Sequence, residues 1–290
     1  MQYRDSARLD QSRTRQGGSG GGSRGGRGMA LGGGIGGVIM LVLVLLFGGN
    51  IGDVLGGIGT VPATQDQGTT QLELDCQTGA DIETNRECRW VAYENAVQDY
   101  WSGVVKGYQY GSMVLYSGSV ATACGTGTSD MGPFYCPGDQ TVYVDTSYTG
   151  QLLNQLGAQG GDAAELYIIG HEFGHHISNL TGVMEQVQRQ GQTSGPDSPA
   201  VRLELQADCY AGIWANRADQ AKNWLDPGDI ESAINAAQQI GDDTLQRRSQ
   251  GRVVPDSFTH GSSAQRVRWF TQGYKAGNVG ACDTFSARSL

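Results

Sequence analysis

His171 and His175 frame an HExxH run, His171-Glu172-Phe173-Gly174-His175, and twenty-nine positions after the second histidine comes Glu204-Leu205-Gln206-Ala207-Asp208, an ExxAD run. Residues four apart share one face of a helix. The two imidazoles can therefore present their nitrogens to one metal ion, while Glu172 points into the adjoining cleft. Zinc takes two histidines at roughly 2.0 to 2.1 Å and completes a tetrahedron with one carboxylate and one water, the arrangement of a zinc peptidase. Two of the chain's four histidines occupy these positions. His176, about 100° further round the helix, is expected at the surface or behind the metal face.

Elements must bring these distant residues together. A helix is expected from Ala163 to Leu180, with Leu166, Ile169 and Phe173 as its apolar side and HExxH on it. A second, from about Ala200 to Ala218, puts Glu204 and Asp208 on one face, after a Gly/Ser/Pro-rich loop at Gly191 to Pro199. Arg89 to Ser102 has helical spacing, whereas Ser112 to Val120 and Gln140 to Asp145 read as strands. Asp229 caps a helix running to about Ile240, Asp242 opens a short one, and Ser263 to Lys275 forms the last. The fold class is α+β.

Composition divides the chain. The first 30 residues hold six arginines against Asp5 and Asp10, a net of +4, which leaves −13 for the remainder of a chain that totals −9. So acidic a catalytic part makes nucleic acid an unsuitable partner. Residues 1–28 read as a disordered, basic, glycine-rich leader. Residues 29–49 contain the aliphatic run Ile35 to Phe47 and read as a single transmembrane helix. Residues 50–71 read as a linker and 72–290 as the folded domain. The arginines before the span, with no basic residue after it until Arg86, predict a cytoplasmic amino terminus and an extracytoplasmic domain. Gly32 and Gly36 have the spacing of a weak helix-dimer contact.

All six cysteines lie beyond the apolar run, consistent with an oxidising compartment. Nearness in sequence favours Cys76 with Cys88 and Cys124 with Cys136, leaving Cys209 and Cys282 as a long-range pair. Six cysteines allow fifteen connectivities, so spacing alone does not decide.

HEFGHH at His171 to His176, RLELQADCYAGIWA at Arg202 to Ala215, and GRVVPDSFTHGSSAQRVRWF at Gly251 to Phe270 together resemble the bacterial family of membrane-anchored neutral zinc metallopeptidases. The resemblance extends to GSVATACG at Gly118 and GPFYCP at Gly132, and its metal-site pattern is that of the gluzincins. It implies a zincin-like domain in which a twisted sheet backs the active-site helix, with one zinc ion held by His171, His175 and Glu204. It implies Glu172 as general base and Asp208 as the carboxylate orienting a ligand histidine, most simply His171. His260 is implied as a donor to the oxyanion, and Arg266 as a brace for that loop or a partner of a site carboxylate. A protein or peptide substrate would lie extended along a sheet edge near Gln140 to Asp145. Two other readings compete with a membrane-anchored peptidase: a non-catalytic zinc-binding envelope scaffold, and a zinc amidase acting on cell-wall peptides.

Overall fold

The computed structural model describes residues 1–17, 70–71, 75–158, 160–191, 193–222 and 224–290. The span expected at 29–49, with Gly32 and Gly36, lies outside the described residues, as does all but the end of the expected linker. Among the described residues no helix is long and apolar enough to cross a membrane.

The fold is mixed α and β. A five-stranded sheet has the order β2 (Thr70–Gln71), β1 (Thr14–Gln16), β3 (Ser112–Tyr116), β7 (Thr141–Asp145), β6 (Phe134–Cys136), and β4 (Ser119–Thr122) pairs with β5 (Gly125–Thr128) as a separate hairpin. Strands β1, β3 and β7 run parallel; β2 and β6 are antiparallel to their neighbours. The helices are α1 (Asp81–Thr84), α2 (Cys88–Val104), α3 (Thr149–Gln155), α4 (Asp162–Leu180), α5 (Val183–Gln190), α6 (Pro199–Lys222), α7 (Asp229–Gln239), α8 (Asp242–Gln250) and α9 (Ser263–Ala276). Leu166, Ile169 and Phe173 of α4 share one buried cluster with Met113 and Leu115 of β3 and Val142 and Val144 of β7. The apolar side read from the sequence is therefore buried in the same core as the sheet.

Three expectations need correction. The first seventeen residues are not a disordered leader: β1 is paired on both sides, Thr14 is fully buried, and Met1, Tyr3 and Leu9 pack against the core. These residues carry the aromatic, aliphatic and ion-pairing side chains that the glycine count of the whole leader obscures; the rest of the expected leader, 18–28, lies outside the described residues. The strand expected over Ser112 to Val120 breaks after Tyr116, because Gly118 turns at φ +83° and donates its N–H to Asp145 Oδ2 at 2.9 Å. Strand β7 is no sheet edge: it pairs with β3 on one side and β6 on the other, and β6 is the terminal strand.

The cysteines pair as nearness suggested: Cys76–Cys88, Cys124–Cys136 and Cys209–Cys282. The last closes a loop across 73 positions, worth on the order of 4 kcal/mol if loop entropy of the unfolded chain is the source. It ties α6, at the residue after Asp208, to the turn following α9.

Candidate metal centre

Helix α4 supplies His171 and His175, and α6 supplies Glu204 and Asp208. Their meeting depends on small residues at the crossing. A β-carbon on Gly174 would lie 2.9 Å from Ala207 Cα, and one on Gly170 would lie 3.1 Å from Ala211 Cα and 2.9 Å from Trp214. An unspecified position of HExxH, Gly174, thus meets the fixed alanine of ExxAD, Ala207, and this contact brings the two backbones within reach. Helix α9 comes equally close to α6, where Gly273 faces the Cys209 carbonyl; this contact delivers Arg266 to the same centre.

The result is a compact donor set. His171 Nε2 is 3.1 Å from His175 Nε2 and 3.2 Å from Glu204 Oε2, and His175 Nε2 is 3.4 Å from Glu204 Oε1. Bonds of roughly 2.0 to 2.1 Å in a tetrahedron separate ligand atoms by about 3.3 Å, close to the imidazole–imidazole spacing and to the distance from each imidazole to its nearer Glu204 oxygen, Oε2 for His171 and Oε1 for His175. All three residues are buried, and neither oxygen of Glu204 has a well-formed hydrogen bond among the described residues. A buried carboxylate left so poorly satisfied is costly unless a cation completes it. These residues fit a tetrahedral divalent ion.

Behind them Asp208, fully buried, accepts from His171 Nδ1 at 2.8 Å and from Tyr167 Oη at 2.6 Å. Arg266 donates to both its oxygens at 2.9 Å and to Tyr167 Oη at 2.9 Å. An acceptor at Nδ1 fixes the proton there and leaves Nε2 to face the donor set. Of the two roles considered for Arg266, pairing with a site carboxylate is the one seen. Tyr167 escaped the sequence reading although it lies one helical turn before His171, on the same face.

Glu172 is buried but stands outside the three-donor cluster. Burial raises its pKa, against the pull of His171 and His175. His260 Nδ1 lies 2.8 Å from Thr259 Oγ1 and 3.5 Å from Asp242 Oδ1. Burial depresses its pKa, but Glu204 and Asp242 more than offset this and raise it. Asp242, read from the sequence only as a helix opener, accepts the backbone N–H groups of Thr259, His260 and Gly261 at 2.7, 2.7 and 3.0 Å and so shapes the His260 loop. Nothing local marks a pairing across eighteen positions. His176 is not a surface residue: it is fully buried, with Nδ1 3.0 Å from Tyr135 Oη on β6 and Nε2 donating to the Gln109 carbonyl at 2.7 Å.

Burial lowers the pKa of His171, yet Asp208 and Glu204 overcome this and push it up to about 10, while the histidines hold Glu204 well below the usual carboxylate range despite its burial. With no metal bound, the site therefore retains a proton. The stability this gives is complete below pH 6.5, the ordinary histidine value, and is lost as pH rises towards 10. A bound cation displaces that proton. Thermal melting from pH 6 to about 10 should show the chelated chain losing stability faster than the metal-loaded chain. Parallel curves would contradict the coupling.

A model of the family described as putative neutral zinc metallopeptidase matches residues 1–285. The uncharacterized protein YpfJ of Escherichia coli is 41% identical over 288 residues, covering 98% of this chain and 99% of its own. An uncharacterized protein of Mycobacterium tuberculosis is 45% identical over 237 residues, covering 78% of this chain and 80% of its own. No solved structure matches. With the match spanning nearly the whole chain, the protein belongs to this neutral zinc metallopeptidase family.

Proposed function

We propose that the chain is a zinc-dependent endopeptidase with a zincin-like catalytic domain, working in an extracytoplasmic compartment and attached to the membrane through the apolar segment at 29–49. The observation that carries this reading is the convergence of His171, His175 and Glu204 on one point, with Glu172 buried nearby but free of the ligand set. A purely structural metal site has no use for that second carboxylate. Bound zinc would act as a Lewis acid, polarising the scissile carbonyl and acidifying a coordinated water.

The chain's own residues do the rest. Glu172 takes the proton from the attacking water and passes it to the leaving amine, a role suited to a carboxylate whose pKa burial has raised. His260 donates to the oxyanion of the tetrahedral adduct, supported by the loop that Asp242 gathers. Asp208, held by Arg266 and Tyr167, keeps His171 in the required tautomer. An extended peptide would add to the terminal strand β6, whose Tyr135 contacts the histidine next to His175. Three disulfides support the oxidising location.

Purified chain incubated with an unstructured protein such as reduced casein should produce internal cleavages that stop on chelation and resume on adding one equivalent of zinc. Cleavage indifferent to chelator would refute the reading. Release of cell-wall peptides with casein left intact would point to the amidase instead.

A further inference from the structure

We propose that the first seventeen residues are an integral part of the catalytic domain, so that the amino terminus and the catalytic centre lie on the same side of the membrane. Four separate contacts carry this. Strand β1 inserts between β2 and β3, with Thr14 opposite Met113 and Gln16 opposite Leu115. Asp10 and Asn95 exchange two hydrogen bonds, from Asp10 N–H to Asn95 Oδ1 at 2.6 Å and from Asn95 Nδ2 to the Asp10 carbonyl at 2.7 Å. Arg13 Nε meets the fully buried Glu94 carboxylate at 2.8 Å, its guanidinium stacked 4.7 Å from the Tyr110 ring centre. Tyr3 Oη donates to Asp162 at 3.0 Å in the first turn of α4, the helix that carries His171 and His175.

The domain is shaped to receive this segment. A β-carbon on Gly79 would fall 2.0 Å from the Arg4 carbonyl oxygen. That surface has room for the Arg4 backbone only because residue 79 has no side chain. Charge agrees: residues 1–17 carry four arginines against two aspartates, while the remainder of the chain is strongly acidic. Glu94, without Arg13, would be a buried carboxylate facing only the amides of Asn95 and Gln98. A chain holding residues 1–17 in these positions cannot have its amino terminus across a bilayer from its domain. This is incompatible with the cytoplasmic amino terminus and extracytoplasmic domain that the arginine count predicts together from a single crossing at 29–49, and it stands independently of the peptidase reading.

Two measurements on the full-length chain in its native membrane test the proposal. Ser6 and Arg288, both exposed, are replaced singly (Ser6→Cys, Arg288→Cys), and a membrane-impermeant maleimide is applied to spheroplasts and to inverted vesicles. The two thiols should label in the same preparation; labelling in opposite preparations overturns the proposal. Arg13→Ala should then lower the melting temperature by on the order of 5 to 10 °C and have a much smaller effect in a Glu94→Gln background. An Arg13→Ala chain melting with the parent, or equal effects in both backgrounds, overturns the docking even if the thiols share a face.

Discussion

Glu172→Gln should abolish most cleavage while leaving the metal in place. Glutamine keeps the volume and polarity of the buried side chain but cannot accept a proton, and Glu172 is not among the three converging donors. Loss of a positioned general base typically lowers kcat by on the order of 10² to 10⁴, about 3 to 5 kcal/mol of barrier. The variant should therefore bind one equivalent of zinc by metal analysis, melt near the parent temperature, and retain substrate affinity. Activity within a few fold of the parent would remove Glu172 from the reaction. Loss of both activity and metal would instead make it part of the coordination sphere.

Glu204→Gln should act in the opposite order, through the metal first. The carboxylate is the only anionic member of the donor set, lies 3.2 and 3.4 Å from the two imidazoles, and remains strongly acidic even though buried. An amide oxygen at the same place lacks the charge that offsets burying a divalent ion. Affinity should fall by more than the roughly 10- to 100-fold usual when an outer partner of a ligand is lost. Zinc should then be removable by a weak chelator, and the thermal stabilisation that zinc gives the parent should shrink with it. A variant as hard to strip as the parent would place the third protein ligand elsewhere.

The site could be read from the sequence to the extent that its geometry is helical. His171 with His175, and Glu204 with Asp208, are each four apart, and α-helix periodicity alone places each pair on one face. What the motif letters did not explain was the packing that joins the helices. Gly174 looks like a spacer, and Ala207 like a letter without chemistry, until the close approach of the two is seen. Asp242 was invisible as a partner of the His260 loop because its ligands are backbone N–H groups, which carry no side-chain signature. The strand Thr14–Gln16 was missed for a similar reason: three residues, two of them exposed, are too short to show alternation, and ladder pairing holds them in place. Cys209 and Cys282 were paired by what remained, and the approach of α9 to α6 supplies the reason.

The fork of Arg266 on Asp208 also sets the charge balance at the candidate metal centre. Glu204 and Asp208 each pair with an imidazole, and together their charge would equal that of a divalent ion. The guanidinium balances one of them at 2.9 Å, so Asp208 would steer an imidazole without adding its full charge to a bound cation's surroundings. A divalent cation held by two neutral rings and Glu204 would keep one unit of positive charge within its ligand set, and under the proposed activity that charge would serve to polarise a carbonyl and acidify a water, with Glu172 as the neighbouring carboxylate that takes up the proton.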